Sequence, residues 1–253
     1  MITNRRARTA LVTGASSGIG AASALALASI GFDVVGVARR EDRLARLADE
    51  GRSLPSGAGT VHVLPLDLTA EHAASRAVEH AVATTGSIDA LVNAAGYGVN
   101  EPSEEMAEED WNSLFAININ AVAHLTAAAL PHLLDAAREH GVADVLTISS
   151  TAGLSAEPRA AAYSGSKFAV RGLMEAWRKE YASRDVRFCT VYPGAVATEF
   201  GGDQQFIRDW YADMEARGAV LTATDIASTV AFVVSQPARA SISELTLRPA
   251  RQT

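Results

Sequence analysis

The chain has 253 residues and a mass of 26.5 kDa, with 48% apolar and 20% charged residues and a formal net charge of −7. These proportions suit a soluble globular protein and exclude a disordered tail, a collagen-like repeat or a disulfide scaffold, since Cys189 is the one cysteine. The acidic balance argues against a nucleic-acid partner, and no apolar run approaches the ~18–20 residues of a membrane span, so a cytoplasmic protein is expected.

Short β-branched apolar runs alternate with Ala-rich helical stretches from end to end. Arg5, Arg6 and Arg8 precede the first run, which Thr13, Gly14, Ser16 and Gly18 interrupt at once, so no signal-peptide core is expected. Strands are predicted at Thr9–Thr13, Asp33–Ala38, Thr60–Leu66, Ala90–Asn93, Ala143–Ser149, Arg187–Tyr192 and Ser243–Leu247. Helices are predicted to begin near Gly18, Asp42, Ala70, Glu108, Ala160 and Thr224, with Glu71 and Asp225 in first turns where carboxylates suit the helix dipole. Most strand runs are apolar on both faces, as a parallel sheet between helix layers requires. The pattern implies an α/β fold: one domain over 1–253, a doubly wound, Rossmann-like parallel sheet of about seven strands with helices on both faces. The least regular stretch, 198–220, carries Phe200, Phe206, Trp210, Tyr211 and Met214 among glycines and charges. It reads as a substrate-side lid or as a surface helix with one packed face.

The first strand runs into Thr13-Gly14-Ala15-Ser16-Ser17-Gly18-Ile19-Gly20 and then a helix. Glycines in such a turn let the chain bend sharply and let a pyrophosphate approach the amides of the helix N-terminus. The spacing is G-x-x-x-G-x-G, distinct from G-x-G-x-x-G, and no Gly-Lys-Ser/Thr follows to make a P-loop. Where NAD sites place an acidic residue for the ribose hydroxyl, the second strand ends at Ala38 and Arg39-Arg40 follow. Guanidinium forks match a phosphate, so NADP(H) is expected, unless these arginines are solvated charges paired with Glu41 and Asp42.

Tyr163 and Lys167 are four residues apart, hence on one helix face, and an ammonium beside a phenol favours the phenolate. That suits a tyrosine to acid–base work. Thirteen residues earlier Ser150 closes a strand, where its hydroxyl can bond a carbonyl or alkoxide oxygen as charge develops.

Taken with Asp67, Asn93-Ala94-Ala95-Gly96, Asn118 and Pro193-Gly194-x-x-x-Thr198, these motifs make the chain resemble the short-chain dehydrogenase/reductase family over essentially its whole length. The resemblance implies that Tyr163 is the catalytic acid/base and that Lys167 tunes it and holds the nicotinamide ribose. Ser150 would orient substrate, and Asn118 would hold a relay water through its backbone. It further implies a cofactor lining of Gly14, Ser16, Ser17, Gly18, Ile19, Gly20, Arg39, Arg40, Asp67, Leu68, Asn93, Ala94, Ala95, Gly96, Pro193, Gly194, Val196 and Thr198. The family usually shows Asn-Asn-Ala-Gly, so Ala94 is a departure that alters a hydrogen bond near the central sheet. The function implied is hydride transfer between NADP(H) and the carbonyl or secondary alcohol of a small to medium polar substrate. The tail Ser243–Pro249 resembles the subgroup acting on serine and other 3-hydroxy acids and clavulanate-type reductases. A non-catalytic dinucleotide sensor is the alternative, disfavoured by the complete Tyr163/Lys167 pair. Family members pair as dimers or tetramers through long helices, expected here around Asn112–Leu134 and Ala160–Tyr181.

The six histidines form no H-E-x-x-H pattern and no second cysteine is present, so no metal is expected, and the spacing of several histidines suggests surface positions. A serine hydrolase elbow is also missing. Cys189, within an apolar strand, is expected to be buried.

Overall fold

The computed structural model describes residues 6–200 and 205–251, with backbone only at 205–208, 210 and 211. In chain order the elements are β1 (Thr9–Thr13), α1 (Gly18–Ser29), β2 (Asp33–Ala38), α2 (Glu41–Arg52), β3 (Val61–Pro65), α3 (Ala73–Thr85), β4 (Ala90–Asn93) and α4 (Glu108–Phe115). A π-turn (Ala116–Asn120) joins α4 to α5 (Ala121–His140), and β5 (Ala143–Ile148) and a short 3-10 turn (Thr151–Gly153) lead into α6 (Ala161–Tyr181). Then come β6 (Val186–Pro193), β7 (Val196–Ala197), α7 (Gln205–Ala216), β8 (Leu221–Thr222), α8 (Ala223–Val234) and β9 (Glu244–Leu247). Seven strands pair in parallel in the order β3-β2-β1-β4-β5-β6-β9, while β7 and β8 form a separate two-stranded ladder.

Successive residues of the central strands feed two cores, which is why their sequences are apolar throughout. From β1, Ala10 and Val12 join Ala24, Leu27, Leu44, Ile226 and Val230 beneath α1, α2 and α8. Leu11 points the other way, to Ala77, Leu125, Leu133, Val170 and Met174 beneath α3, α5 and α6. The strand order reverses direction of growth between β1 and β4, and such a point opens a crevice at the carboxyl ends of the strands.

Every predicted strand is present within two residues of its predicted ends. One helix start moves further: α3 begins at Ala73 after His72 in a left-handed conformation (φ 57°), so Glu71 lies outside its first turn. Asp225 does sit in the first turn of α8, in a reciprocal cap with Thr222, each backbone amide donating to the other's side chain at 2.7 and 3.2 Å. The expectation on membrane spans needs correction. Residues 108–140 run as one helix with an 18-residue window of mean hydropathy 1.5, long and apolar enough to cross a bilayer by length and composition. Its apolar positions, including Leu125, Ala129 and Leu133, are instead packed on the sheet. Of the expected lid residues, Gly201 and Gly202 and the side chains of Phe206, Trp210 and Tyr211 lie outside the described residues; Gln205–Ala216 is helical.

Candidate active site

The glycine turn is built by contact with the loop after β4. Gly14 has φ 68°, and a Cβ there would stand 2.8 Å from the Ala94 carbonyl oxygen; at Gly20 it would stand 2.3 Å from the Gly14 oxygen. Side chains at either position would push the turn off the sheet. Thr13 fastens the same loop: its Oγ1 accepts the amides of Ala94 and Ala95 at 3.0 and 3.1 Å. The Ala94-Ala95 turn is therefore held through its backbone, a bond that makes no demand on the Ala94 side chain. Asn93 is buried and donates to Thr126 and Thr147 at 3.2 and 3.3 Å, tying β4 to α5 and β5.

The N-terminus of α1 carries no side-chain cap and no acidic residue in its first turn. The Ser17 hydroxyl instead accepts from Arg40 at 2.6 Å, and Ser16 accepts from the same guanidinium at 3.0 and 3.2 Å. Uncapped amides, two hydroxyls and a guanidinium thus meet at one glycine-lined turn, a set that suits phosphate oxygens. Arg39 is exposed and adds to the field that keeps Asp67 ionised, behind the hydrogen bonds Asp67 accepts from Thr69. The partner of Arg40 is not Glu41 or Asp42, as the sequence suggested, but Glu199, at 3.1 Å. Glu199 also takes Arg43 at 2.6 Å, and these two arginines hold its carboxyl below the ordinary range.

At the other side of the crevice, α6 carries Tyr163 and Lys167. Lys167 is buried, donates from Nζ to the Ile148 carbonyl at 3.1 Å, and stands 5.7 Å from the centre of the Tyr163 ring. Burial lowers its pKa from 10.5 to about 8. Asn118 lies inside the π-turn, a local irregularity found often at functional sites. Its side chain accepts from the Tyr97 amide at 3.1 Å and donates to the Tyr97 carbonyl and to Ser166 Oγ at 3.0 and 3.1 Å. Ser166 passes the contact on, donating to the Tyr163 carbonyl at 2.7 Å. Ser150 is half-buried at the end of β5 and accepts from the Ala152 amide at 3.1 Å, while the neighbouring Ser149 is buried and donates to the Lys167 carbonyl at 3.5 Å.

Val196 is buried in the β7–β8 ladder, Thr198 Oγ1 accepts from the Phe200 amide at 3.3 Å, and the Phe200 ring lies 5.6 Å from that of Tyr163. The Gly194 amide donates to Leu247 at 2.8 Å, locking the Pro193-Gly194 bend onto β9. The structure therefore gathers the glycine turn, Arg40, the Asn93–Gly96 loop, Asn118, Ser150, Tyr163, Lys167 and Thr198 around the carboxyl ends of the strands. Sequence reasoning missed Ser166, Glu199 and Arg43. Ser166 could have been found from its place inside the Tyr163–Lys167 turn; Glu199 had no signal beyond adjacency to Thr198. Among the described residues no group of three or more His, Cys, Asp or Glu could hold a metal. His140 departs from the expected surface position: its side chain is 5% exposed, with Nε2 3.3 Å from Asp89.

A family profile described as short chain dehydrogenase matches residues 8–206. An uncharacterized oxidoreductase of Listeria monocytogenes is 33% identical over 252 residues, covering 96% of both chains. The serine 3-dehydrogenase of Agrobacterium fabrum is 32% identical over 252 residues, covering 97% of this chain and 95% of its own. The crystal structure of an alcohol dehydrogenase from Thermococcus sibiricus, complexed with 5-hydroxy-NADP, superposes with a TM-score of 0.85 at 27% identity, covering 98% of this chain and 99% of that one.

Proposed function

Because this chain belongs to the short-chain dehydrogenase family, we propose that it is an NADP(H)-dependent oxidoreductase interconverting a carbonyl and a secondary alcohol on a small to medium polar substrate. The observation that carries this reading is the buried Lys167 ammonium beside the Tyr163 ring, in the same crevice as the glycine turn. The turn fits a dinucleotide: a Cβ at Gly14 or Gly20 would fill its cradle, and Ser16, Ser17 and Arg40 offer neutral and charged donors to phosphate. When bound, NADPH supplies the hydride. Tyr163 gives a proton to the carbonyl oxygen during reduction, or removes it from the alcohol in reverse. Lys167 favours the phenolate by its charge, and Ser150 donates to the same oxygen as negative charge grows on it. Asn118 and Ser166 fix the start of α6 against the loop at Tyr97, so that Tyr163 keeps its place.

NADP(H) is favoured over NAD(H) by Arg39 and Arg40 at the end of β2, and the NADP-analogue complex of the archaeal alcohol dehydrogenase supports it. The likeness to serine 3-dehydrogenase supports a 3-hydroxy acid, or a ketone or aldehyde of similar polarity. We further propose that the enzyme is a single domain that pairs as a homodimer or homotetramer through α5 and α6.

The test is an initial-rate screen, NADPH and NADH in parallel, against ketones, aldehydes and 3-oxo esters, and NADP+ against 3-hydroxy acids. Turnover at least tenfold more efficient with NADPH is expected. Better turnover with NADH would overturn the cofactor assignment, and silence with every 3-hydroxy acid would remove that substrate class.

A further inference from the structure

We propose that Glu199 competes, as an internal carboxylate, with the cofactor's adenosine 2′-phosphate for Arg40 and so sets how strongly the enzyme prefers NADPH to NADH. This rests on the NADP(H) reading above. Every nitrogen of the Arg40 guanidinium is engaged: Nε and Nη2 on Ser16, Nη2 also on Ser17, and Nη1 on Glu199. Four of its five N–H donors are thus in use, so a phosphate that takes the fork in the usual two-pronged way must displace a partner. The serine hydroxyls are neutral and belong to the glycine turn, where a phosphate would share them. Glu199 is different: it bears the same charge as the phosphate and occupies Nη1, the arm of the fork that the serines leave.

Its position is built into the fold. Thr198 Cγ2 lies against Gly18, 3.2 Å from where a Cβ would stand, and Phe200 packs on Tyr163. The backbone at Glu199 is thus pinned on both sides and lies beside the turn rather than away from it. Arg43 holds the carboxylate at 2.6 Å and gives it somewhere to remain when Arg40 is drawn off. The exchange moves Arg40 between two anions and leaves Glu199 on Arg43. Both pairs are solvent-facing, with the Glu199 side chain 59% exposed, so each contributes modestly.

Glu199→Gln keeps the shape and removes the competing charge. The measurement is calorimetric affinity, with no turnover needed, for NADPH, NADH, adenosine 2′,5′-bisphosphate and 5′-AMP. The expected result is that the two 2′-phosphorylated ligands tighten roughly three- to tenfold while NADH and 5′-AMP stay within about twofold, the scale of one or two exposed ion pairs. Unchanged affinities, or an equal weakening of NADPH and NADH, would overturn the proposal; the latter would make Glu199 a latch over any bound dinucleotide. Arg40→Ala run beside it separates this failure from failure of the cofactor reading. If Arg40→Ala weakens NADPH at least about tenfold and spares NADH, the NADP(H) reading stands and Glu199 is judged on its own. If it affects neither, or both equally, Arg40 does not hold the 2′-phosphate and this inference falls, while the NADP(H) reading is judged separately by the wild-type affinities for NADPH and NADH.

Discussion

The two ends of the seven-stranded sheet both bury charge, and they handle it in opposite ways. At the amino ends of the strands the charges are closed into pairs. Asp89, fully buried before β4, accepts from both terminal nitrogens of Arg6 (2.7 and 3.2 Å), from the Thr9 amide and from Ser87. Asp144 on β5 accepts a two-pronged contact from Arg187 at 2.7 and 3.0 Å and a third bond from Arg8 at 3.0 Å. Arg187 then spends its remaining nitrogen on the carbonyls of Gln236, Pro237 and Ala240, fastening the approach to β9. At the carboxyl ends Lys167 is buried with a carbonyl and an aromatic face rather than a carboxylate. A paired ion holds a structure together; a buried ammonium given no counter-charge is held ready to act on another group. Buried charge alone does not mark function in this chain, and its partner is the better guide.

Substitutions at the two ends should separate cleanly. The largest effect belongs to Tyr163→Phe, with turnover expected to fall roughly a thousandfold while the thermal midpoint and cofactor affinity stay near wild type. Activity within a few-fold of wild type would sink the assignment. Asp144→Ala should do the reverse, costing about 3–5 kcal/mol by leaving Arg187 buried without its carboxylate, while kcat per folded molecule is preserved. A denaturation curve unmoved by that change would abolish the contrast.

Lys167→Met tests whether the ammonium is held against its own stability. Burial keeps the folded-state amine at about 8, below its ordinary 10.5, so between these values the unfolded chain binds more protons. Stability should therefore rise with pH across that window, by about 3 kcal/mol in all, and the rise should be missing in Lys167→Met. Cys189, raised from 9.0 to about 12 by burial, works in the opposite sense above pH 9, so the readout is the difference between the two proteins' curves. Parallel curves would contradict the buried-ammonium account. The smallest effect is expected from Thr13→Val, which strands the Ala94 and Ala95 amides at a cost of about 2 kcal/mol. It should loosen cofactor binding more than it slows the proton transfer, as seen in KM for NADPH against kcat.

Much of this arrangement was legible from the chain. The apolar runs placed the strands because both faces of a parallel sheet are buried, so Val12 and Leu11 carry the same signal though they enter different cores. Glycine positions were legible for a steric reason, and the Tyr163–Lys167 spacing because it is helical. Other features are invisible to periodicity. The π-turn at Asn118 carries no mark in the sequence: Ala116–Asn120 holds no glycine or proline, and the residue it buries is the polar Asn118. The Arg40–Glu199 pair joins positions 159 residues apart, and the Asp144–Arg187 pair joins two strands whose charges looked like strand ends. Side chains that meet across the fold leave no trace in local sequence spacing.

Cys189 sits in β6 between β5 and β9, opposite Leu146, and is 2% exposed. With its thiol both shielded and disinclined to ionise, an alkylating reagent has no target in the native protein. Because the chain has one cysteine, each modified molecule records a single event, the opening of the central sheet. The rate of labelling is then a direct clock for that opening, and bound dinucleotide should slow it in proportion to its occupancy.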